Sequence, residues 1–289
     1  MPPSAADYTK RIKSILRRVQ LLPDAAKAPI LHYRRTVTEI WGAFGYVERV
    51  IGERERRQAV VDRHLGKLYG MALVNLVETF ERFLKEVAAE CVDCLADLIV
   101  DDRFNAFALQ GASLASHFGS GSAGKALCEA ATWLDCKQIN DRFRQLLTDP
   151  FKPGDFYVFP KEGNQQPVAQ QWRYDLMSLI WQLRHTAVHN VGVITKSDAV
   201  KLRVWAKEAV EAPRVLAPAR NDIRWLKMFL DETVEDCNRR IGQRLADLLT
   251  VIHTTAPAIL APTDLANRIT AAFQVVLSVA GVAGTLPPP

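Results

Sequence analysis

The sequence is poor in cysteine, in strand-like alternation and in long apolar runs, and each shortage excludes something. Cysteine occurs five times in 289 residues, at Cys91, Cys94, Cys128, Cys136 and Cys237. An odd number in a chain of this size argues against the disulfide framework that staples small secreted domains. Cys91-Val92-Asp93-Cys94 has CxxC spacing but no matching second pair, so buried helical thiols are the better reading. The first residues, Met1 to Asp7, are small or polar and lead into the basic stretch Lys10-Arg11-Ile12-Lys13. That is not a secretory pattern, and a cytoplasmic location is the expectation. The last apolar stretch, 269–286, is interrupted by Gln274 and small residues and sits at the short limit for a membrane span. It reads as a packing or association helix, and no membrane partner is expected. No internal repeat or sustained heptad array stands out.

What is present is ample apolar material at helical spacing. Hydrophobic residues make up 48% of the chain and charged residues 24%, enough for a buried core under an ordinary polar surface. The net charge of +5 and sequence pI near 9.0 favour phosphate-bearing partners, nucleic acid ahead of membrane. Periodicity predicts a short basic helix over 8–22, a second over 25–50, and a very long one over 53–100. The last carries the stripe Leu65, Leu68, Ala72, Leu73, Leu76, Phe80, Phe83, Leu84 and Val87, with Gly66 and Gly70 as candidate bends. Further helices are predicted over 126–147, 168–190, from an N-cap at Ser197 to about 209, and over 221–252. The Gly/Ser-rich 101–123 and the Pro-rich 150–167 are read as connections. The fold class is therefore all-α, divided as an N-terminal helical extension (1–60), a helical domain (61–255) and a C-terminal apolar helix or tail (256–289).

Two local patterns invite a chemical reading and resist it. Gly119 to Lys125 matches the Gly-x4-Gly-Lys part of a phosphate-binding loop, but Ala126 stands where a Ser or Thr would hold magnesium, and no strand precedes it. A flexible linker leading into a helix fits better. Basic residues at 10–18 and at Arg54, Arg56 and Arg57 could track RNA, yet without interleaved aromatics a solvated helix face is the better reading.

The run Leu183-Arg184-His185-Thr186-Ala187-Val188-His189-Asn190 closes a predicted helix. Arg184 and His189 lie about 140° apart around that helix, so both reach a cleft where the helix ends. Arginine supplies a permanent, fork-shaped charge for phosphate oxygens, and histidine titrates near neutral pH and can act as base or acid. RNA cleavage by its own 2′-hydroxyl needs these functions and no metal, because the nucleophile is inside the substrate. One histidine serves one proton transfer, so two chains meeting at the helix end would complete an acid–base pair. His185 and His189 also share the four-residue spacing of zinc ligands, but Thr186 replaces the glutamate of the metalloprotease pattern and no third ligand is evident.

The segment from Arg184 to Ile194 resembles the Arg-x4-His motif of the HEPN superfamily, closest to its RNA-cleaving toxin and phage-defence branch. His185 occupies the polar position that follows the arginine in that family. Leu76-Val77-Glu78-Thr79-Phe80-Glu81-Arg82-Phe83-Leu84 is similar to the family's first core helix, which carries an acidic residue facing the site; Glu81 is the first choice for it and Glu78 the second. Residues 133–151 fit the family's middle region less specifically. The resemblance covers about 65–255 and implies a dimeric helical bundle with a composite site, metal-independent endoribonuclease activity, and no cofactor. Its implied catalytic set is Arg184, His189, Glu81, His185 and Asn190, with Asn190 either orienting the imidazole or ending the helix. RNA is the implied substrate, and an antitoxin or defence protein the implied partner. The alternative is a non-catalytic helical dimer of the same type that binds RNA or protein.

Overall fold

Two long amphipathic stripes organise the molecule. In the computed structural model they become α2 (Gln58–Leu95) and α7 (Arg220–Thr255), which pack together with α1 (Pro29–Arg54). Along α2, Leu76, Phe80, Phe83, Leu84 and Val87 are buried, and along α7, Ile223, Leu230, Val234, Ile241, Leu245 and Leu248. Each set recurs at the 3.6-residue period that places a helix face against a core. The remaining elements are α3 (Ala123–Glu129), α4 (Cys136–Leu147), α5 (Gln171–His189), α6 (Lys196–Ala206) and α8 (Pro262–Phe273). Two short antiparallel ladders complete them, β1 (Val193–Ile194) with β2 (Arg214–Val215), and β3 (Ser278–Val279) with β4 (Val282–Ala283). The structure describes residues 28–98, 122–129, 133–149, 156–160, 171–256 and 259–287, with positions 10, 13, 14, 103, 104, 107 and 131. Most of the expected basic helix at 8–22 and most of the two predicted connections lie outside them. Among the described residues, no helix is long and apolar enough to cross a membrane.

The chain is mostly helical, and its boundaries depart from expectation in four places. The predicted helix over 53–100 is interrupted at 55–57. There the Glu55 carboxylate accepts the Arg57 backbone N–H at 3.0 Å and its Nε at 3.1 Å, an alternative to helical pairing. The predicted helix over 126–147 is two helices, because Asp135 accepts the N–H groups of Lys137 and Gln138 and so starts α4. The cap of α6 is Thr195, not Ser197. Its hydroxyl accepts the Asp198 N–H while the Asp198 carboxylate accepts the Thr195 N–H, a reciprocal capping box. The predicted C-terminal apolar helix ends at Phe273, where Gln274 adopts φ +54°. The chain then turns through Ala280 and Gly281, both at positive φ, in a tight hairpin that buries Leu277 and Val279. This segment packs into the chain's own core, so of the two uses expected of it, packing or association, its buried residues serve packing, and only its helical extent to 286 is corrected. Within the expected extension, α1 packs on the common core: Tyr33 of α1 meets Phe83 of α2 edge to face, with ring centroids 5.9 Å apart.

The core also fixes α5, which carries the Arg184–His189 run. Phe80 of α2 and Phe159 flank Trp181 of α5, with centroids at 6.3 and 5.8 Å. Phe159 is held in turn by Asn140, whose amide donates to its carbonyl and accepts its N–H, both at 2.8 Å. Arg240 of α7 donates to the carbonyls of Tyr157 and Val158. A buried side-chain amide that pairs both backbone groups leaves no orphan donor or acceptor, and it wedges Phe159 between α2 and α5.

Candidate active site

Helix α5 presents two different faces. Tyr174, Ser178, Gln182, His185 and His189 follow at helical spacing and line one cleft, closed by the start of α4 and by Lys201 and Trp205 of α6. Its volume is about 490 Å³. Leu176, Ile180 and Leu183 face the other way into an apolar cleft of about 460 Å³ against α2 and α7, with exposed Trp225 and Val215 among its walls. The amphipathic pattern of α5 thus separates a polar site from a hydrophobic one.

Arg184 and His189 line the same polar cleft, with His185. The imidazoles of His185 and His189 are exposed, their centroids 4.6 Å apart. The Arg184 side chain is only 14% exposed; its Nη2 donates to Glu78 Oε1 at 2.9 Å, and its buried Nε has no hydrogen-bond partner. The acidic partner is therefore Glu78 and not Glu81, which pairs with Lys85 at 3.1 Å along its own helix. The reason is register. Helices α2 and α5 run antiparallel, with Phe80 level with Trp181 and Glu78 level with Arg184. Glu81 stands at the height of Trp181, about one turn from the arginine.

Asn190 ends the helix and does not line the cleft. Its N–H donates to the Thr186 carbonyl at 3.2 Å, and the Gly192 N–H donates to the same oxygen at 3.1 Å. Gly192, at φ +79°, reverses the chain into β1 where a side chain would be strained. The Asn190 amide donates to Asp198 at 2.7 Å.

Asp198 is the functional neighbour that motif reading missed. It is 3% exposed and accepts from Gln182, Asn190 and both the N–H and hydroxyl of Thr195. Burial alone would raise its pKa; the Thr195 and Asn190 hydrogen bonds, with nearby His185, outweigh burial and hold the carboxyl below its ordinary range. Asp198 thereby ties both ends of the histidine-bearing face to α6. The Thr195-Lys196-Ser197-Asp198 capping pattern was the signal that could have found it.

The cleft is cation-rich. Lys137 and Lys201 are exposed on its walls and join Arg184, and neither lysine forms an ion pair among the described residues. Its one carboxylate, Asp135, is engaged with the first N–H groups of α4. Among the described residues, no third His, Cys, Asp or Glu joins the two histidines as a metal-ligand set.

The other sequence motifs resolve into structure. Ser122 donates to Asp93 at 2.6 Å and the Gly124 N–H to the same carboxylate at 2.7 Å, so the amide that a phosphate would need is occupied. A Cβ on Gly124 would fall 2.1 Å from the Ala89 carbonyl oxygen; the glycine lets α3 approach α2. Positions 119–121 lie outside the described residues. Cys91 and Cys94 are buried, and burial raises both thiols, Cys94 to about 12.

No protein-family model matches the chain, and neither a curated protein nor a solved structure was found to be similar to it.

Proposed function

We propose that this chain is a metal-independent endoribonuclease of toxin or phage-defence type, related to the HEPN superfamily, with Arg184 and His189 as its working pair. The observation that carries the reading is their meeting, with His185, in one cleft whose other cations are Lys137 and Lys201. For a polyanion, Arg184, Lys137 and Lys201 outnumber the one carboxylate of the lining, the helix-capping Asp135, and Arg184 is held in place by Glu78.

In the proposed step the 2′-oxygen attacks the adjacent phosphorus and gives its proton to an imidazole. The bond from phosphorus to the 5′-oxygen breaks, and that oxygen takes a proton from a second imidazole. The products are a 2′,3′-cyclic phosphate and a free 5′-hydroxyl, with no net change in protons or electrons. Arg184 faces the phosphorane oxygens, where charge builds. His189 is the principal acid–base group; His185, or His189 of a second chain, supplies the other transfer. Exposed Val188, Val191 and Val193 around the end of α5, and Val200 and Val204 on α6, support a second copy meeting this edge. The acidic role first expected of Glu81 passes to Glu78, and Asn190 serves as a positioning residue.

The test is incubation of the purified protein with total RNA in EDTA beside His189→Ala, with the mass in solution measured by sedimentation. Cleavage that persists in EDTA, vanishes in the variant and belongs to a two-chain species supports the reading. Tight RNA binding without cleavage by either protein would favour a non-catalytic binding module.

A further inference from the structure

The wall of the cleft opposite the Arg184–His189 face belongs to α6, and it is of another chemistry. Trp205 is half-buried there, its ring centroid 6.0 Å from that of Tyr174 at an interplanar angle of 54°. Tyr174 is 7% exposed, so Trp205 is the more accessible of the two rings. Lys201 stands one turn before Trp205 on α6, and Lys137 projects from the start of α4. Aromatic and cationic groups thus share one cleft of about 490 Å³, a size that holds a small ligand.

This pairing has a specific use in nucleic-acid recognition. An aromatic face stacks any base once the base has left its helix, while lysines beside it follow the phosphates. A paired base has no free face to offer, so such a site takes unpaired nucleotides. From this we infer that Trp205 is the platform for one unpaired base, with Lys137 and Lys201 on the flanking phosphates, so that the cleft selects single-stranded RNA and holds it a few nucleotides along the strand from the linkage at Arg184 and His189, because Tyr174, beside Trp205, lies about 15 Å along α5 from Arg184. The inference rests on reading the cleft as an RNA site, but it assigns residues of α4 and α6 that lie outside the Arg-x4-His run.

The test uses a fluorescent 2′-O-methyl oligonucleotide, whose blocked 2′-oxygen prevents cleavage, so that anisotropy reports binding alone. The single strand is expected to bind at least about tenfold more tightly than the same sequence in a blunt duplex. Trp205→Ala should lose about tenfold or more of the single-strand affinity, Trp205→Phe should keep most of it, and Trp205→Leu should not. The Phe and Leu variants, both apolar and smaller than tryptophan but only the first able to stack, decide the matter even where the alanine variant fails to fold. Equal affinity for duplex and single strand, or equal binding by the Phe and Leu variants, would overturn the inference. Trp205-dependent binding by a protein that leaves ordinary RNA intact would sustain it while removing the ribonuclease reading. Cleavage with binding indifferent to Trp205 would do the reverse.

Discussion

Glu78 on α2 and Arg184 on α5 join the longest helix directly to the proposed site, Arg184 Nη2 donating to Glu78 Oε1 at 2.9 Å. Glu81, which resembles the expected acidic partner in sequence, is instead engaged with Lys85. Because Glu78 is half-exposed, its worth for stability is small. Its consequence is positional. Glu78→Gln should lower the cleavage rate by about tenfold, the loss of about 1.4 kcal/mol of transition-state positioning, while Glu81→Gln leaves the rate within about twofold. Single-turnover kinetics with saturating protein would read both, and the opposite ranking would return the role to Glu81.

Replacement of the arginine itself separates charge from geometry. Arg184→Lys keeps the positive charge but loses the fork that can hold Glu78 and a phosphate oxygen together. Its rate should fall by about a hundredfold, nearly as far as Arg184→Ala, and the melting temperature of both variants should stay close to that of the wild type. A lysine variant of near-normal rate would show that charge alone suffices.

Asp198 links the site to acid stability. Its carboxyl is held below the ordinary range: burial opposes this, but the hydrogen bonds from Thr195 and Asn190, with nearby His185, prevail. A group whose folded pKa lies below its unfolded value, near 4 for aspartate, stabilises fully above that value and loses the contribution as pH falls through the folded pKa. Melting temperature should therefore drop in acid below about pH 4. Asp198→Asn should lower stability at pH 7 by about 1–3 kcal/mol and flatten that acid limb. Urea denaturation at pH 7 and pH 3 measures both effects, and an unchanged acid limb would contradict the assignment.

The thiols give a test of the core. All five cysteines are buried, and burial raises Cys94 and Cys128 to about 12 and Cys237 to about 11. The thiolate is the reactive form. A thiol-specific chromophore at pH 8 should therefore find none of the five in the native protein and all five in guanidinium. A folded-state group whose pKa is raised favours the fold below its unfolded value and loses that stabilisation as pH rises through the folded one, so stability should decline above about pH 8.5. Rapid native labelling would show an open core.

Gly124 tests the packing of α3. With a Cβ 2.1 Å from the Ala89 oxygen, Gly124→Ala must displace α3 from α2, at a cost of about 1–3 kcal/mol. RNA cleavage by the folded fraction should remain, because Gly124 does not line the polar cleft. Loss of cleavage from a fully folded variant would revive a role for this loop.

Much of this was legible in the sequence, for physical reasons that differ by element. The stripes of α2 and α7 are visible because burial imposes a 3.6-residue period on residue type. Arg184, His185 and His189 were placed together because a helix end brings residues of different faces to one mouth. The choice between Glu78 and Glu81 was not legible, since it depends on the register between two helices far apart in sequence. The break at 55–57 contains neither glycine nor proline and rests on the Glu55 carboxylate. Beyond Phe273 the apolar run resumes after Gln274, so that interruption reads as a polar position within a helix and not as its end; Gly281, at positive φ, is where the hairpin turns.

The most direct measurement is the identity of the ends left when one oligoribonucleotide is incubated in EDTA with wild-type protein, Arg184→Ala or His189→Ala and analysed by mass spectrometry. The expected result is 2′,3′-cyclic phosphate and 5′-hydroxyl ends from the wild type and intact RNA from both variants. Other end groups, or the same fragments from the variants as from the wild type, would contradict the assignment of Arg184 and His189.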